Sequence, residues 1–304
     1  MDRIKNISNG KDLIVFFDEF ISKNKTYNAS TEELLSFLID GHDLKPQTHN
    51  LIKAIRILSF EAQHWQEGLQ EVHAYHNLNH MMYVAVIVTI LIAYHQKEIA
   101  PINNHVLALD DQLILLLVAL VHDVGHPAKG NPKDSPYRNE EITYRFITNT
   151  IEENTLPNSV MDDIKILLYA TSPAGPYQFL KANNLFKQAG IWGQKPDDYD
   201  DPKFEPIIRL TQDRKLCLMA SLLNDADLSL GAGLGKVHAL NATKAVLQEV
   251  GIDAITQDSL HAHHTSFLQR VFGDTGFLSM AGRALMNENY FRLIEKKGDT
   301  KKPD

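Results

Sequence analysis

The sequence predicts an all-α protein, and three features carry that expectation. Alternation of apolar and polar residues with period two is nearly absent over the 304 residues, and there is no internal repeat. Three runs, at 81–94, 113–121 and 216–223, are strongly apolar. The second is apolar on every helical face, as in a helix buried in a core. Proline, glycine and small polar residues punctuate the pattern where helices should start and stop.

In chain order, 11–23 and 31–40 have the pattern of short amphipathic helices, with Ser30 and Thr31 as candidate caps of the second. Pro46 opens a longer helix through Leu51, Ile55, Leu58 and Trp65, ending at a turn near Gly68. Residues 1–45 are expected to be an N-terminal helical extension, although no composition shift marks its boundary, with the main domain at 46–295 and a solvated tail at 296–304. A loop at 99–105 precedes the central buried helix, which Asp110 or Asp111 can cap and which Gly125 and Pro127 stop. The polar loop 127–138 carries Lys129, Lys133 and Arg138; Asn139-Glu140-Glu141 then starts a helix with Ile142, Phe146 and Ile147 as its apolar stripe. Helices are expected at 158–171 and 177–188. The stretch 190–206, rich in Pro and Asp, has the character of a surface loop rather than a lid, because an acidic lid repels an anionic substrate. The third apolar run ends in Asn224-Asp225-Ala226-Asp227, Gly231, Gly233 and Gly235 interrupt it, and helices at 236–250, 257–272 and 278–295 complete the chain.

Composition narrows the function. A formal charge of −8 and a pI near 5.9 argue against a nucleic-acid polymer as partner. Cys217 is the sole cysteine, which excludes an internal disulfide and a cysteine-based zinc site and suits a reducing cytosol. With 14 histidines, imidazole is the expected nitrogen ligand for any metal. The apolar patch at 13–17 runs straight into Asp18 and Glu19, unlike a signal peptide. The run 81–94 is shorter than the roughly 17–25 residues a bilayer span needs. A soluble, cytoplasmic protein with no membrane partner is expected; oligomeric state is left open.

Each apolar run has polar ligand-type groups at one end: His76 and His80, His122 and Asp123, Asp225 and Asp227. A lone His-Asp pair needs only a hydrogen bond or a cap to explain it. Three such ends in one chain point to a shared site, because each buried charge otherwise needs its own compensation. Two imidazoles with two carboxylates suit Mn, Fe, Co, Ni or Zn, with Mg at a second, oxygen-rich position, so one or two divalent ions are expected. Asp225 and Asp227 are two residues apart on a helix and face different ways, so only one reaches the ion.

Together, Y-H-N-L-N-H at 75–80, H-D-V-G-H-P at 122–127 and D-A-D-L-S at 225–229 resemble the signature of the HD-domain metal-dependent phosphohydrolases. The first and third pieces are similar to cyclic-nucleotide phosphodiesterases, whose middle piece reads H-D-x-x-H-P-G-x-x-N. His126, Pro127 and Asn131 fit it, while Ala128 stands in place of the glycine. Asn139-Glu140-Glu141 and 225–231 resemble more closely a group of bacterial HD phosphohydrolases. The resemblance spans about residues 60–290. It implies a helical HD-domain bundle with a buried metal site. His80, His122, Asp123 and Asp227 match the ligands, Asp123 bridging if two ions bind, and His126 lies behind them. It also implies hydrolysis of phosphate esters by a metal-activated water, with His76 protonating the leaving oxygen.

Asn131, Lys129, Glu140, Asp225 and Gln269 are further candidates for support or substrate contact. Gln269 and Phe272 fit the spacing of the pair that grips the base in cyclic-nucleotide phosphodiesterases, a spacing the bacterial group's last helices also fit. The triplet His261, His263 and His264 has no acidic neighbour and is expected at the surface; His64 and His73 are expected to pack or face solvent. The function expected is hydrolysis of a nucleotide or another small phosphorylated metabolite. The narrower alternative is a 3',5'-cyclic-nucleotide phosphodiesterase. The alternative of another class is an inactive HD-fold binding or regulatory module.

Overall fold

The computed structural model describes residues 2–23, 25–132, 134–172, 176–188 and 202–295. Among them the secondary structure is helical throughout, with fourteen α-helices and no strand. The long elements are α1 (Gly10–Ser22), α2 (Tyr27–Ile39), α3 (Pro46–Glu67), α4 (Leu78–Tyr94), α6 (Leu109–Val121), α7 (Arg138–Thr150), α8 (Asn158–Thr171), α9 (Pro176–Gln188), α10 (Arg214–Asp227), α12 (Lys236–Glu249), α13 (Gln257–Val271) and α14 (Met280–Ile294). Two single-turn helices, α5 (Ala100–Asn103) and α11 (Ser229–Ala232), join them.

The three apolar runs form the centre. Helix α6 is buried from Asp111 to Val121 and packs between α3 and α4, while α10 lies against α4 and α8. Burying each Leu, Ile or Val of α6 contributes about 1.5–3 kcal/mol, so this helix anchors whatever its C-terminal residues carry. The segment before residue 46 shares this core: Leu13, Phe17, Leu34 and Leu35 are fully buried in it, and the Tyr27 hydroxyl donates to the Leu120 carbonyl at the end of α6.

Several boundaries differ from the sequence expectation, each for a local reason. Helix α2 starts four residues early, because Thr26 rather than Ser30 or Thr31 caps it; those two are buried inside the helix. Helix α6 begins after Ala108, and Asp111 serves it from the third position by accepting from the Ala108 N–H at 3.0 Å. The expected loop at 99–105 is mostly helix. After α4 the chain continues through a π turn at His95–Ile99 into α5 and stops at Asn104, whose φ of 53° is left-handed. Leu78–Asn103 is therefore the one stretch among the described residues long and apolar enough to cross a membrane, and 78% of its most apolar window is buried inside the protein. Residues 190–201 of the acidic stretch lie outside the described residues. Pro202–Thr211 that follow form a 3-10 helix burying Phe204, Ile207 and Leu210. On α7 the buried face is Asn139, Glu140, Thr143 and Ile147, while Ile142 and Phe146 are only half-buried.

Candidate metal centre

The ends of α4, α6 and α10 meet. Asn77 caps α4, its Oδ1 accepting from the backbone N–H groups of Asn79 and His80 at 2.9 and 3.2 Å. That cap places His80 on the first turn, buried, and leaves His76 before the helix, half-buried. Beyond α6 the chain turns through Gly125 at φ +81°, where a Cβ would come within 2.6 Å of Ile142. Thr143 ties this turn to α7, donating to the carbonyls of His122 and Val124. Ala128 sits at φ +55°, the left-handed region that favours glycine, which accounts for the glycine of the resembling pattern.

Four side-chain atoms converge here. His80 Nε2 lies 3.3 Å from Asp123 Oδ2 and 3.1 Å from Asp227 Oδ1; His122 Nε2 lies 3.2 and 3.5 Å from the same two oxygens. The Ala119 carbonyl, 3.0 Å from His122 Nδ1, can only accept, so a proton sits on Nδ1 and Nε2 is the nitrogen that faces the cluster. His122 Nε2 is buried with no hydrogen-bond partner, and His80 Nδ1 is likewise unpartnered. The Tyr75 ring packs on His80 at 4.4 Å between centroids.

The field at this point attracts a cation. Burial opposes charge on His122, yet Asp123 and Asp227 raise it well above the usual histidine range. Burial also opposes ionisation of Asp227, but the adjoining His122 and His80 imidazoles hold it down to about 2; Asp123 lies well below its usual range through the charges of His122 and His76, again against burial. The donor set fits a divalent metal. Metal–ligand bonds near 2.1 Å give coordination edges of about 3.0–3.4 Å, close to the nitrogen–oxygen separations found, and the orphaned His122 Nε2 gains a partner.

A second grouping, His76, Asp123 and His126, also brings ligand-type atoms together, but it suits an ion poorly. His126 Nδ1 accepts from the Ala128 N–H at 3.1 Å, so its proton sits on Nε2, which lies 3.0 Å from the Asn139 side-chain amide, and neither nitrogen offers a free lone pair. His76 and His126 stack at 3.9 Å and 19°, so their in-plane lone pairs run side by side rather than converge. Burial lowers His126 to about 4. It is a neutral platform for the His76 ring.

Glu249, at the C-terminus of α12, is the residue the sequence did not disclose. Both its carboxylate oxygens lie 3.0 Å from His76 Nδ1, its side chain is only 3% exposed, and His73 Nδ1 is 3.8 Å away. Burial opposes charge on His76, but Asp123, Glu249 and Asp227 together raise its pKa. Behind Asp123, Asn131 donates to Glu140 at 2.8 Å and accepts from the Asn139 N–H at 2.8 Å; burial pushes Glu140 up to about 7.

Other candidates lie apart. Lys129 and Arg138 are exposed, and Lys133 falls outside the described residues. Gln269 is exposed on α13, whereas Phe272 is buried against Phe277 and Tyr290. The histidine triplet divides: His263 is exposed, but His264 is buried with Nε2 2.8 Å from the Gly231 carbonyl, because the α13 face that carries it packs on α11. His64 is exposed beside Phe60.

Asp225 points away from the cluster, as the spacing requires. Fully buried, it accepts from the backbone N–H groups of Leu278 and Ser279, each at 2.7 Å, and a Cβ on Gly282 would strike its Oδ2. Asp225→Ala leaves two buried N–H groups unsatisfied and should cost about 2–4 kcal/mol in a denaturant melt while the metal content is kept. Asp227→Ala should reverse that pattern.

No protein-family model matches the sequence, and no curated protein matches it. The fold does have a solved counterpart. The structure of LmjPDEB1 in complex with IBMX, a Leishmania cyclic-nucleotide phosphodiesterase, matches 88% of this chain and 81% of that one, with a TM-score of 0.50 at 15% identity. The chain thus has the all-helical fold of that phosphodiesterase.

Proposed function

We propose that the chain is a metal-dependent hydrolase of phosphate esters, acting on a nucleotide or another small phosphorylated metabolite. The observation that carries this reading is the convergence of His80, His122, Asp123 and Asp227 beside the His76–Glu249 pair. A divalent metal held by those four residues supplies Lewis acidity at the phosphoryl oxygens and acidity to water. The side chains of Asp123 and Asp227 are 14% and 18% exposed against 3% and 1% for His80 and His122, so the cluster opens to solvent on its carboxylate side.

His76 provides the proton. Glu249 accepts from Nδ1–H and fixes the ring, leaving Nε2 as the nitrogen that exchanges its proton. The Glu249 carboxylate beside it favours the charged ring, which donates to a leaving alkoxide. His126 cannot replace it, being neutral above about 4.

The complete donor set favours an enzyme over a binding module. The fold likeness alone does not single out cyclic nucleotides, and Gln269 and Phe272 do not share an open face that would clamp a base. The test is metal analysis followed by a panel of nucleoside monophosphates, cyclic nucleotides and sugar phosphates with Mn, Ni, Co and Mg. Turnover abolished by EDTA and restored by the ion is expected. Bound metal without turnover on any ester would favour the regulatory module.

A further inference from the structure

Helix α7 supplies none of the four converging side chains, yet it holds the turn that carries two of them. Thr143 lies on its buried face, one turn after Asn139, and is fully buried. A hydroxyl inside a helix ordinarily bonds the carbonyl four residues back. Thr31, Thr89 and Thr243 do so in this protein, at 3.1, 2.8 and 2.9 Å. Thr143 instead turns out of its helix and donates to the carbonyls of His122 and Val124, at 2.9 and 3.0 Å.

Those two carbonyls lie on either side of Asp123. The end of α6 leaves its last carbonyls without donors from the helix. The N–H groups of the turn go elsewhere, Val124 to the Val121 carbonyl at 2.9 Å and His126 to the Asp123 carbonyl at 3.0 Å. Those bonds pin the peptide between Asp123 and Val124, while Thr143 pins the one before it and the one after. Together they set the direction in which the Asp123 Cβ leaves the backbone. That direction matters, because Asp123 Oδ2 lies within 3.3 Å of His80 Nε2 and 3.2 Å of His122 Nε2. A constellation of this kind tolerates only about 0.5 Å of misplacement. Water is a poor substitute for the hydroxyl, since His122 and Val124 are 3% and 1% exposed. The turn also closes on α7 without a gap, Gly125 lying where a Cβ would come within 2.6 Å of Ile142.

Given the four-ligand metal centre on which the proposed hydrolase rests, we propose that Thr143 is a positioning residue, aiming the Asp123 carboxylate at the ion. Calorimetric titration of the metal-free protein with Mn, and the visible spectrum of bound Co, test it. Thr143→Val keeps the volume and removes the donor; its affinity for Mn should fall about 10- to 100-fold. The absorption bands of bound Co should shift, because the coordination geometry changes when the carboxylate leaves its place. Thr143→Ser keeps the hydroxyl and should retain the wild-type affinity and spectrum. Should the valine variant not fold, Thr143→Ala removes the hydroxyl without setting a methyl group against the carbonyls, and the same loss is expected. A hydroxyl that only stabilises the fold lowers the melting temperature of Thr143→Val but leaves affinity and spectrum as in the wild type. That result would overturn the proposal while keeping the metal centre, as would a serine variant that binds as weakly as the valine one. A wild type that binds no ion overturns the metal centre and the role of Thr143 together.

Discussion

Asp123→Ala is expected to leave the protein without bound metal and to lower turnover of every phosphoester on the order of 10⁴-fold or more. Asp123 Oδ2 is within 3.3 Å of both His80 Nε2 and His122 Nε2, so no other single carboxylate oxygen serves both imidazoles as closely. The folding equilibrium supplies a readout that needs no substrate. In the wild type, an ion at 100 times its dissociation constant adds about 2.7 kcal/mol to stability. In Asp123→Ala that increment should vanish. After EDTA treatment the variant should itself be less stable than the wild type, because the depressed pKa of Asp123 marks a carboxylate that, against burial, the imidazoles of His122 and His76 hold ionised in the fold. Equal metal content in the two proteins, or an equal metal-induced rise in melting temperature, would remove Asp123 from the ligand set.

Much of this site was legible because burial and polarity coincide in a linear pattern. Runs apolar on all faces fix where α4, α6 and α10 sit, and a polar residue at such a run's end needs compensation wherever the chain places it. The two-residue spacing of Asp225 and Asp227 told the rest, one facing the imidazoles and the other the α14 turn. Glu249 was invisible for the opposite reason. It lies 173 residues from His76, on a helix whose face has no strong apolar stripe, and a Glu in K-A-V-L-Q-E-V has the look of any solvated side chain. Its one signal was position, since a carboxylate at a helix C-terminus opposes the helix dipole and calls for a partner. The buried face of α7 was misjudged similarly. Asn139, Glu140 and Thr143 are buried by hydrogen bonds to the HD turn and its loop, and such bonds leave no periodicity.

His76→Ala should keep the metal yet lose roughly 10²–10⁴-fold in rate on esters with alkoxide leaving groups, the range general acid catalysis commands. The expectation rests on where the ring is held. Nδ1 is committed to Glu249, the ring face lies on His126, and the residue precedes the α4 cap rather than standing within the ligand-bearing turn. A nitrophenyl ester, whose leaving group needs little protonation, should recover most of the loss. His80→Ala should instead release the metal and slow good and poor leaving groups alike. Glu249→Gln tests the support of the acid. A bound ion offsets the field of Asp123 and Asp227 and leaves Glu249 as the main group raising the His76 pKa. Removing that carboxylate lowers the pKa, so the acid form is lost at lower pH and the alkaline limb of the rate profile should move down. At neutral pH the rate should fall about 10- to 100-fold, again chiefly on poor leaving groups. If His76→Ala loses metal, His76 is a ligand, and the stacked pair with His126 belongs to a second ion. If its deficit is the same for nitrophenyl and alkyl esters, the ring orients substrate and the proton comes from elsewhere.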